Sequence, residues 1–399
     1  MNRVICDKYK CTGCAACRDA CPKQCISMSC DELDVSYPQI DNSLCIKCGI
    51  CEKTCPNNRE IKYHSTQKVY AAWSNDTSVR NTSASGGIAY ELYRFWIQRG
   101  GVATGVVYDE NEGCHFVLLE KESELRLAQN SKYTFSDTSG IYKVVKQKLD
   151  AAVPVLFIGV PCQIAGLFGF LKRDYGNLVT VDIICHGMPP ASYLQQHLES
   201  IENHLDERTQ ELYFRDPRYG THTFTFTLKN KSGKEFYRKK VLSRDNYQLG
   251  YHRALIYREN CYHCSYARNE RISDLTIADF SGLGRYGSIS FDKLNVSCIL
   301  QNTDKGAELL SNIYKCQAVS LHERPMREAF EVEAQLNSPS LKHHGRDVFE
   351  EIYRNTRSFK MACDKALKEE KRKSLKLLVI RKIKLFLYNT LVLLKIKKK

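Results

Sequence analysis

The chain has 399 residues, 43% of them apolar, so it has room for two or three domains with real hydrophobic cores. Its net charge of +14 would suit a nucleic-acid binder, but residues 371–399 hold eleven Lys or Arg and no Asp or Glu, which leaves only +3 for the rest of the chain. A nucleic-acid-binding domain would carry a basic stripe with aromatic or groove-reading elements, and the sequence has none. Nucleic acid is therefore excluded as the expected partner.

Nineteen cysteines are present, and eight of them form two copies of the pattern C-x2-C-x2-C-x3-C-P near the start. The copies are Cys11, Cys14, Cys17 and Cys21 before Pro22, and Cys45, Cys48, Cys51 and Cys55 before Pro56. This spacing binds 4Fe-4S clusters, and the fourth cysteine of each copy ligates the cluster of the other copy. The expected ligand sets are therefore Cys11, Cys14, Cys17 and Cys55 for one cluster, and Cys45, Cys48, Cys51 and Cys21 for the other.

Zinc sites and disulfides are the alternative uses of such cysteines, and two complete copies with both prolines disfavour them. Cys6, Cys25 and Cys30 lie outside the pattern and are interpreted as ordinary thiols. The first residues form no apolar signal segment, and exposed clusters need a reducing compartment. The sequence thus predicts an electron-handling protein in the cytoplasm, either free or peripheral on the inner face of the membrane.

The next part of the chain alternates strand and helix patterns. Residues 59–67 are polar and predict a linker, followed by a strand at 69–73, a helix from 88 to a Gly-Gly pair at 100–101, and a strand at 102–108. The middle of the chain predicts a beta-alpha-beta unit with a parallel sheet from a strand at 153–159, a helix at 163–172, a strand at 178–184 and a helix at 191–204. The later elements are a hairpin at 223–228 and 235–241, strands at 275–280 and 296–302, and helical, charged sequence from 307 onward. The predicted fold class is α+β or α/β, with a ferredoxin-like dicluster domain before a mixed α/β domain with antiparallel additions.

A second group of cysteines lies in the beta-alpha-beta region. Cys162 and Cys185 follow neighbouring parallel strands, where open α/β sheets bind their ligands, and Cys261 and Cys264 form a C-x2-C pair. These four thiols predict a third 4Fe-4S cluster, with zinc, a redox pair or unligated thiols as open alternatives. His186 and His263 adjoin candidate ligands and are interpreted as their hydrogen-bonding neighbours.

The segment from Ser83 to Gly87 precedes a predicted helix. Its backbone N–H groups could hold a phosphate of a flavin dinucleotide, and the alternative is an ordinary helix cap with a small-residue turn. Clusters pass one electron at a time, so delivery to a two-electron substrate calls for a cofactor such as a flavin.

Several longer runs resemble the coenzyme F420 hydrogenase/dehydrogenase beta subunit family. They are Ser85-Gly86-Gly87, the run GVPCQIAGL from Gly159, the run DIICHG from Asp182, Phe214-Arg215-Asp216, and the run RISDLTIADF from Arg271. The resemblance covers roughly residues 68–321, with a two-cluster ferredoxin in front. It implies an iron–sulfur flavoprotein oxidoreductase that contains FAD and exchanges electrons with a one-electron partner such as a ferredoxin and with an unidentified two-electron substrate. Bacterial proteins of similar shape accompany polysaccharide synthesis, and a non-catalytic electron-transfer subunit or adaptor is the alternative.

The resemblance also implies roles for residues and boundaries for domains. Cofactor binding is expected at Ser83, Ser85, Gly86, Gly87, Arg215 and Asp279, and third-cluster ligation at Cys162, Cys185, Cys261 and Cys264. His186 is the candidate catalytic residue, because it can donate a proton near neutral pH. The expected domains are a ferredoxin-type domain at 1–58, the linker at 59–67, beta-subunit domains of N-terminal type at 68–150 and C-terminal type at 151–325, a helical extension at 326–370, and a basic apolar tail at 371–399.

The tail mixes leucines with lysines, which suits contact with an anionic membrane surface. Its longest uncharged stretch is too short to span a bilayer. A solvated tail or a docking segment for a partner protein are the alternatives.

Overall fold

The computed structural model describes residues 4–241 and 245–375, together with 383 and 390. The expectation of membrane-surface contact through 371–399 therefore falls almost wholly outside the described residues. None of the helices in the described part of the chain is long and apolar enough to cross a membrane.

The N-terminal segment consists of two cysteine-rich loops around a small hairpin. Its regular elements are α1 (Ala16–Asp19), β1 (Ile26–Cys30), β2 (Ser36–Ile40) and α2 (Ile50–Thr54). The two strands pair antiparallel. Each short helix begins after a left-handed residue, Ala15 at φ 55° and Gly49 at φ 73°, which lies at the same place in the two cysteine patterns. The sequence repeat is thus also a repeat in backbone conformation.

The rest of the described chain builds two sheets. Their strands are β3 (Lys68–Ser74), β4 (Val102–Asp109), β5 (Gly113–Leu119), β6 (Val155–Gly159), β7 (Leu178–Ile183), β8 (Glu211–Tyr213), β9 (Thr225–Lys229), β10 (Glu235–Lys240), β11 (Leu275–Asp279), β12 (Ser297–Gln301) and β13 (Val319–Arg324). The large sheet has the order β13-β3-β12-β11-β7-β6-β4-β5, and the small sheet has the order β10-β9-β8. In the large sheet β4, β6, β7 and β11 run parallel, and the other pairs are antiparallel. The predicted mixed α/β fold with antiparallel additions is confirmed.

Helices cover both faces of the large sheet and one side of the small sheet. The helices after the N-terminal segment are α3 (Thr77–Thr82), α4 (Ile88–Ile97), α5 (Leu125–Ala128), α6 (Ile141–Asp150), α7 (Pro161–Leu171), α8 (Ala191–Leu205), α9 (Asn246–His252), α10 (Asp304–Lys315), α11 (Arg327–Phe330), α12 (Arg346–Thr356) and α13 (Phe359–Ala366). The apolar faces of α4 and α10 pack on one side of the sheet, and those of α6 and α7 pack on the other. Because both faces are covered, the central strands read as continuous apolar runs such as β6, in which every residue is buried. A separate, aromatic-rich core joins α8, α9, α12 and α13 to the small sheet.

Most predicted elements are confirmed, and the differences lie at the sheet edges. The strands expected at 69–73, 102–108, 153–159 and 178–184 correspond to β3, β4, β6 and β7, and the hairpin corresponds to β9 and β10. The expectation of continuous helix after 307 is wrong, since α10 ends at Lys315 and β13 follows. β13 is a charged edge strand that pairs only with β3, so its sequence lacks the apolar run that marks a central strand.

Helix α7 is where the N-terminal segment meets the large sheet. A Cβ on Gly169 would lie 2.1 Å from the carbonyl oxygen of Thr54, and a Cβ on Gly166 would lie 3.0 Å from Sγ of Cys14. Arg59, in the stretch expected to be a linker, donates a 3.0 Å hydrogen bond to the carbonyl oxygen of Phe168. The helix therefore presents bare backbone to the cysteine-rich segment, which only glycine permits at this separation.

We expect Gly169→Ala to lower the free energy of unfolding by about 1–3 kcal/mol, because the added methyl group cannot fit against the Thr54 carbonyl. Denaturant unfolding of anaerobically purified protein measures this change. Gly176→Ala is the matched control, since a Cβ at Gly176 would meet no atom within 4 Å. Equal losses in the two variants would contradict the packing described.

Candidate functional site

Two cavities in the N-terminal segment each gather one expected ligand set. The first cavity is lined by Cys11, Cys14, Cys17 and Cys55. The second cavity is lined by Cys21, Cys45, Cys48 and Cys51. The structure thus brings the fourth cysteine of each copy to the other copy's cavity, as the spacing predicts.

Each cavity also contains a fifth thiol that the sequence analysis interpreted as ordinary. Cys6 adjoins Cys11 in the first cavity. Cys25 lies in the second cavity, with its Sγ 3.4 Å from Sγ of Cys21. No spacing rule marks Cys6 or Cys25, so only the fold reveals their positions.

Backbone N–H groups converge on the buried thiols of the first cavity. Burial raises the pKa of Cys14 and Cys17, and hydrogen bonds from the backbone N–H groups of Ala16 and Arg18 partly offset this effect. Such donors stabilise thiolate and tune a bound cluster. The donor set of this cavity therefore suits an anionic metal cluster better than neutral thiols.

The four remaining candidate cysteines meet at the carboxyl edge of the large sheet. Cys162 is the second residue of α7, Cys185 lies two residues beyond the end of β7, and Cys261 and Cys264 lie around the short turn that ends at His263. Burial raises the pKa of Cys162 well above its usual range, and the three other thiols raise it further. We call these four residues the thiol quartet.

No three sulfur atoms of the thiol quartet all lie within 4.8 Å of one another. Tetrahedral zinc with bonds of about 2.3 Å holds its sulfur ligands about 3.8 Å apart. Among the described residues, the only group of three or more His, Cys, Asp or Glu with ligand atoms within 4.8 Å of one another is His343, His344 and Glu370. A 4Fe-4S cluster binds its thiolates at four separate irons and so accepts wider spacing. The geometry favours a cluster over zinc.

The three cysteine sites adjoin one another in a row. Cys14 of the first cavity lies close enough to Cys162 to contribute to its raised pKa, after burial and the rest of the quartet. Cys51 of the second cavity likewise contributes to the raised pKa of Cys17, after burial and nearer thiols. The first cavity therefore lies between the second cavity and the thiol quartet.

The candidate catalytic residue, His186, lies half-exposed at the end of β7 beside Cys185. Its Nε2 is 3.8 Å from Oε1 of Glu333, and its carbonyl accepts a 2.6 Å hydrogen bond from Ser340. Burial raises the pKa of Glu333, and the charge of His186 opposes this rise. His186 and Glu333 thus form a pair that can hold a proton at the sheet edge, and Glu333 was missed because no motif marks it.

Arg215 and Asp279, both expected to bind a cofactor, form an ion pair at the end of β11. The Arg215 guanidinium also lies over the ring of Phe224, 4.6 Å from its centroid. Tyr133, which lies near Arg215, stacks on Tyr251 with centroids 4.7 Å apart. The carboxyl edge of the large sheet therefore offers the Arg215 guanidinium and an aromatic surface. No sequence motif marked the two tyrosines of this surface.

The loop from Ser83 to Gly87 lies at the same edge, but its polar groups have protein partners. Ser83 donates to the carbonyl oxygen of Val79, and Ser85 donates to that of Val296. The Gly86 N–H donates a 2.9 Å hydrogen bond to Ser297, and a Cβ at Gly86 would lie 2.4 Å from a backbone oxygen of β3. The glycine is therefore explained by packing, which agrees with the alternative of an ordinary helix start at Gly87.

Two further polar residues have structural surroundings. Arg218 pairs with Asp216 and Glu235, so it stabilises the loop between β8 and β9. His263 is largely exposed, with its Nε2 3.5 Å from Glu259.

Comparison with known proteins identifies the two parts of the chain. Residues 10–60 match the family model described as a 4Fe-4S dicluster domain, and residues 154–326 match the model for the C terminus of the coenzyme F420 hydrogenase/dehydrogenase beta subunit. The chain therefore joins a 4Fe-4S dicluster domain to a C-terminal domain of the coenzyme F420 hydrogenase/dehydrogenase beta subunit family. The resemblance stated from the sequence motifs is confirmed, and the protein is an iron–sulfur electron-transfer protein.

Two individual proteins are similar to parts of this chain. An uncharacterized ferredoxin of Methanocaldococcus jannaschii is 38% identical over 55 residues, which are 14% of this chain and 70% of the ferredoxin. A protein of the F420-reducing [NiFe] hydrogenase complex from Methanosarcina barkeri has a TM-score of 0.45 at 18% identity, covering 80% of this chain and 94% of that one.

The raised thiol pKa values predict how the iron-free protein responds to pH. Above the ordinary thiol pKa of 9.0 the unfolded chain releases thiol protons that the folded chain keeps, so the folded state loses stability as pH rises. This loss should begin near pH 9.0 and continue to about pH 11, because the pKa of Cys261 is raised to about 11. Thermal unfolding of iron-stripped protein across this range measures the slope. Replacing the four cysteines of the thiol quartet by alanine should make stability fall less steeply with pH. An unchanged slope of stability against pH would contradict the raised pKa values of these thiols.

Proposed function

We propose that the chain is an iron–sulfur oxidoreductase that passes electrons along three 4Fe-4S clusters to the carboxyl edge of its large sheet. The observation that carries this proposal is the position of the thiol quartet, which adjoins the first dicluster cavity at the start of α7. The proposed ligand sets are Cys11, Cys14, Cys17 and Cys55 for cluster one, Cys21, Cys45, Cys48 and Cys51 for cluster two, and Cys162, Cys185, Cys261 and Cys264 for cluster three.

Electrons are proposed to enter at cluster two from a one-electron protein partner. Cys48 is exposed, and so are Leu44 at 57% and Ile46 at 58% on the same loop. Lys23 and Lys47 add exposed positive charge around the second cavity. An apolar patch with a basic rim suits an acidic redox protein such as a ferredoxin, since charge complementarity speeds encounter.

FAD is proposed as the group that receives electrons from cluster three, because a flavin exchanges one electron with clusters and two with an organic substrate. Two features fit it: the Arg215 guanidinium, where negative ring charge would be stabilised, and the first-turn N–H groups of α4, which lack intrahelical partners. The hydroxyls of Ser83 and Ser85 do not add to this fit, since they donate to backbone carbonyls. His186 and Glu333 are proposed to hold the proton that accompanies reduction of the substrate.

A non-catalytic electron-transfer subunit or adaptor is the second candidate, and one observation favours it. Glu91, fully buried in the first turn of α4, accepts a hydrogen bond from Ser74 and forms an ion pair with Arg94, so a carboxylate occupies the region of the helix start. This competes with a flavin phosphate at the same helix end. The link to polysaccharide synthesis stays a prediction from the resemblance.

Iron content tests the three-cluster proposal. Protein purified without oxygen should contain about twelve irons per chain, and replacing Cys162 and Cys185 by alanine should leave about eight. Cys30→Ala is the matched control and should keep the full content, because Cys30 lies in neither dicluster cavity nor the thiol quartet. About eight irons in the unchanged protein after reconstitution would refute cluster three.

Flavin content separates the enzyme from the adaptor. The enzyme proposal predicts one FAD per chain and a loss of FAD in Arg215→Met, with iron unchanged because Arg215 ligates no cluster. Arg218→Met is the control, since Arg218 pairs with acidic residues at the small sheet. Absorbance after acid release of the cofactor gives the count, and protein that takes up no FAD would favour the adaptor.

A further inference from the structure

Three arginines in the described part of the chain are exposed by 2% or less, and one of them lacks a carboxylate partner. Arg271 lies 3.0 Å from Asp182, and Arg346 lies 2.7 Å from Glu350. Arg258, 1% exposed, has no Asp or Glu oxygen within 4.0 Å among the described residues. A buried charge needs compensation, and no carboxylate in direct contact supplies it for Arg258.

The contacts of Arg258 hold its guanidinium in place without neutralising it. Nε donates a 3.3 Å hydrogen bond to Oδ1 of Asn260, and Nη2 donates to the carbonyl oxygens of Cys11 and Ser36 at 3.4 and 3.0 Å. The ring of Phe135 lies 4.9 Å from the guanidinium carbon. All of these partners are neutral, so the full positive charge remains.

This charge lies between two of the cysteine sites. A Cβ on Gly13, in the loop of the first cavity, would lie 2.7 Å from Nη2 of Arg258. The guanidinium favours the thiolate forms of Cys11 and Cys14 on that side and of Cys261 in the thiol quartet on the other. Among the buried arginines described, Arg271 also favours the thiolate forms of Cys185 and Cys264, but it is paired with Asp182.

We propose that Arg258 is the shared counter-charge of clusters one and three and raises the reduction potential of both. The inference rests on the proposed function, in which both sites hold 4Fe-4S clusters. A cluster with four thiolates is anionic and gains a further negative charge on reduction, so a buried cation beside it stabilises the reduced state.

The position of Arg258 also gives the electron path a direction. Cluster two is lined by one basic residue, Lys23, which is exposed to solvent and therefore screened. By raising the potentials of clusters one and three but not that of cluster two, Arg258 favours electron movement from cluster two toward the sheet edge. Arg258 is thus a residue that sets potentials and contacts neither substrate nor partner.

Redox titration of the full chain, monitored by electron paramagnetic resonance, tests this role. At the potential that half-reduces cluster one in the unchanged protein, Arg258→Met should lower the reduced-to-oxidised ratio of cluster one about tenfold. For one electron, this ratio corresponds to a reduction potential lowered by about 59 mV. Cluster three should shift in the same direction, and cluster two should not shift. Arg258→Lys, which keeps the charge, should stay near the unchanged protein.

A second variant keeps the test decisive if Arg258→Met loses its clusters. Asn260→Asp places a carboxylate beside Nε of Arg258 and should lower the same two potentials with the arginine in place. Unchanged potentials in a variant with full iron, or an equal shift of all three clusters, would overturn the role of Arg258. Absence of cluster three from the unchanged protein would instead refute the proposed function, and the shared role of Arg258 with it.

Discussion

The close approach of helix α7 to the N-terminal segment is the contact on which the arrangement of the cysteine sites depends. Gly166 and Gly169 leave this face of the helix without side chains, so Cys14 and the Thr54 carbonyl can lie against its backbone. Because Cys162 belongs to the first turn of the same helix, the contact also brings the thiol quartet next to the first cavity. Packing between the N-terminal segment and the large sheet therefore places these two cysteine sites next to each other.

Burial of charge is the second constraint, and it links the cysteines to Arg258. Thiolates of the first cavity and of the quartet are disfavoured by burial, and a buried guanidinium is disfavoured for the same reason, by several kcal/mol for an isolated ion. If both sites hold clusters, as proposed, the guanidinium and the thiolates offset each other's cost of burial. The exposed second cavity needs no such partner, which agrees with its place at the surface.

Local patterns accounted for the parts of the fold that local forces decide. The two cysteine repeats have matching backbone turns. Apolar runs such as the one in β6 correctly predicted the central strands, because a parallel strand covered on both faces must be apolar throughout. The edge strand β13 escaped prediction because its partner β3 is distant in sequence. The edge strand β5 also escaped prediction, although its partner β4 directly precedes it. The loop from Ser83 to Gly87 shows the same limit, since Ser297, which accepts the Gly86 N–H, lies 211 residues further along.

The sequence alone determined the chemistry of the chain: thiol ligands at cluster spacing, two strand-end cysteines and the family of residues 154–326. Cysteine spacing acts within one loop, so it can be read without the fold. Only the tertiary structure decided that the three cysteine sites form a row, that Cys6 and Cys25 lie in the cluster cavities, and that Arg258 is buried without a carboxylate. Those features arise from contacts between residues far apart in the chain. At such contacts the neighbours in space, and not the spacing along the sequence, determine burial and charge compensation.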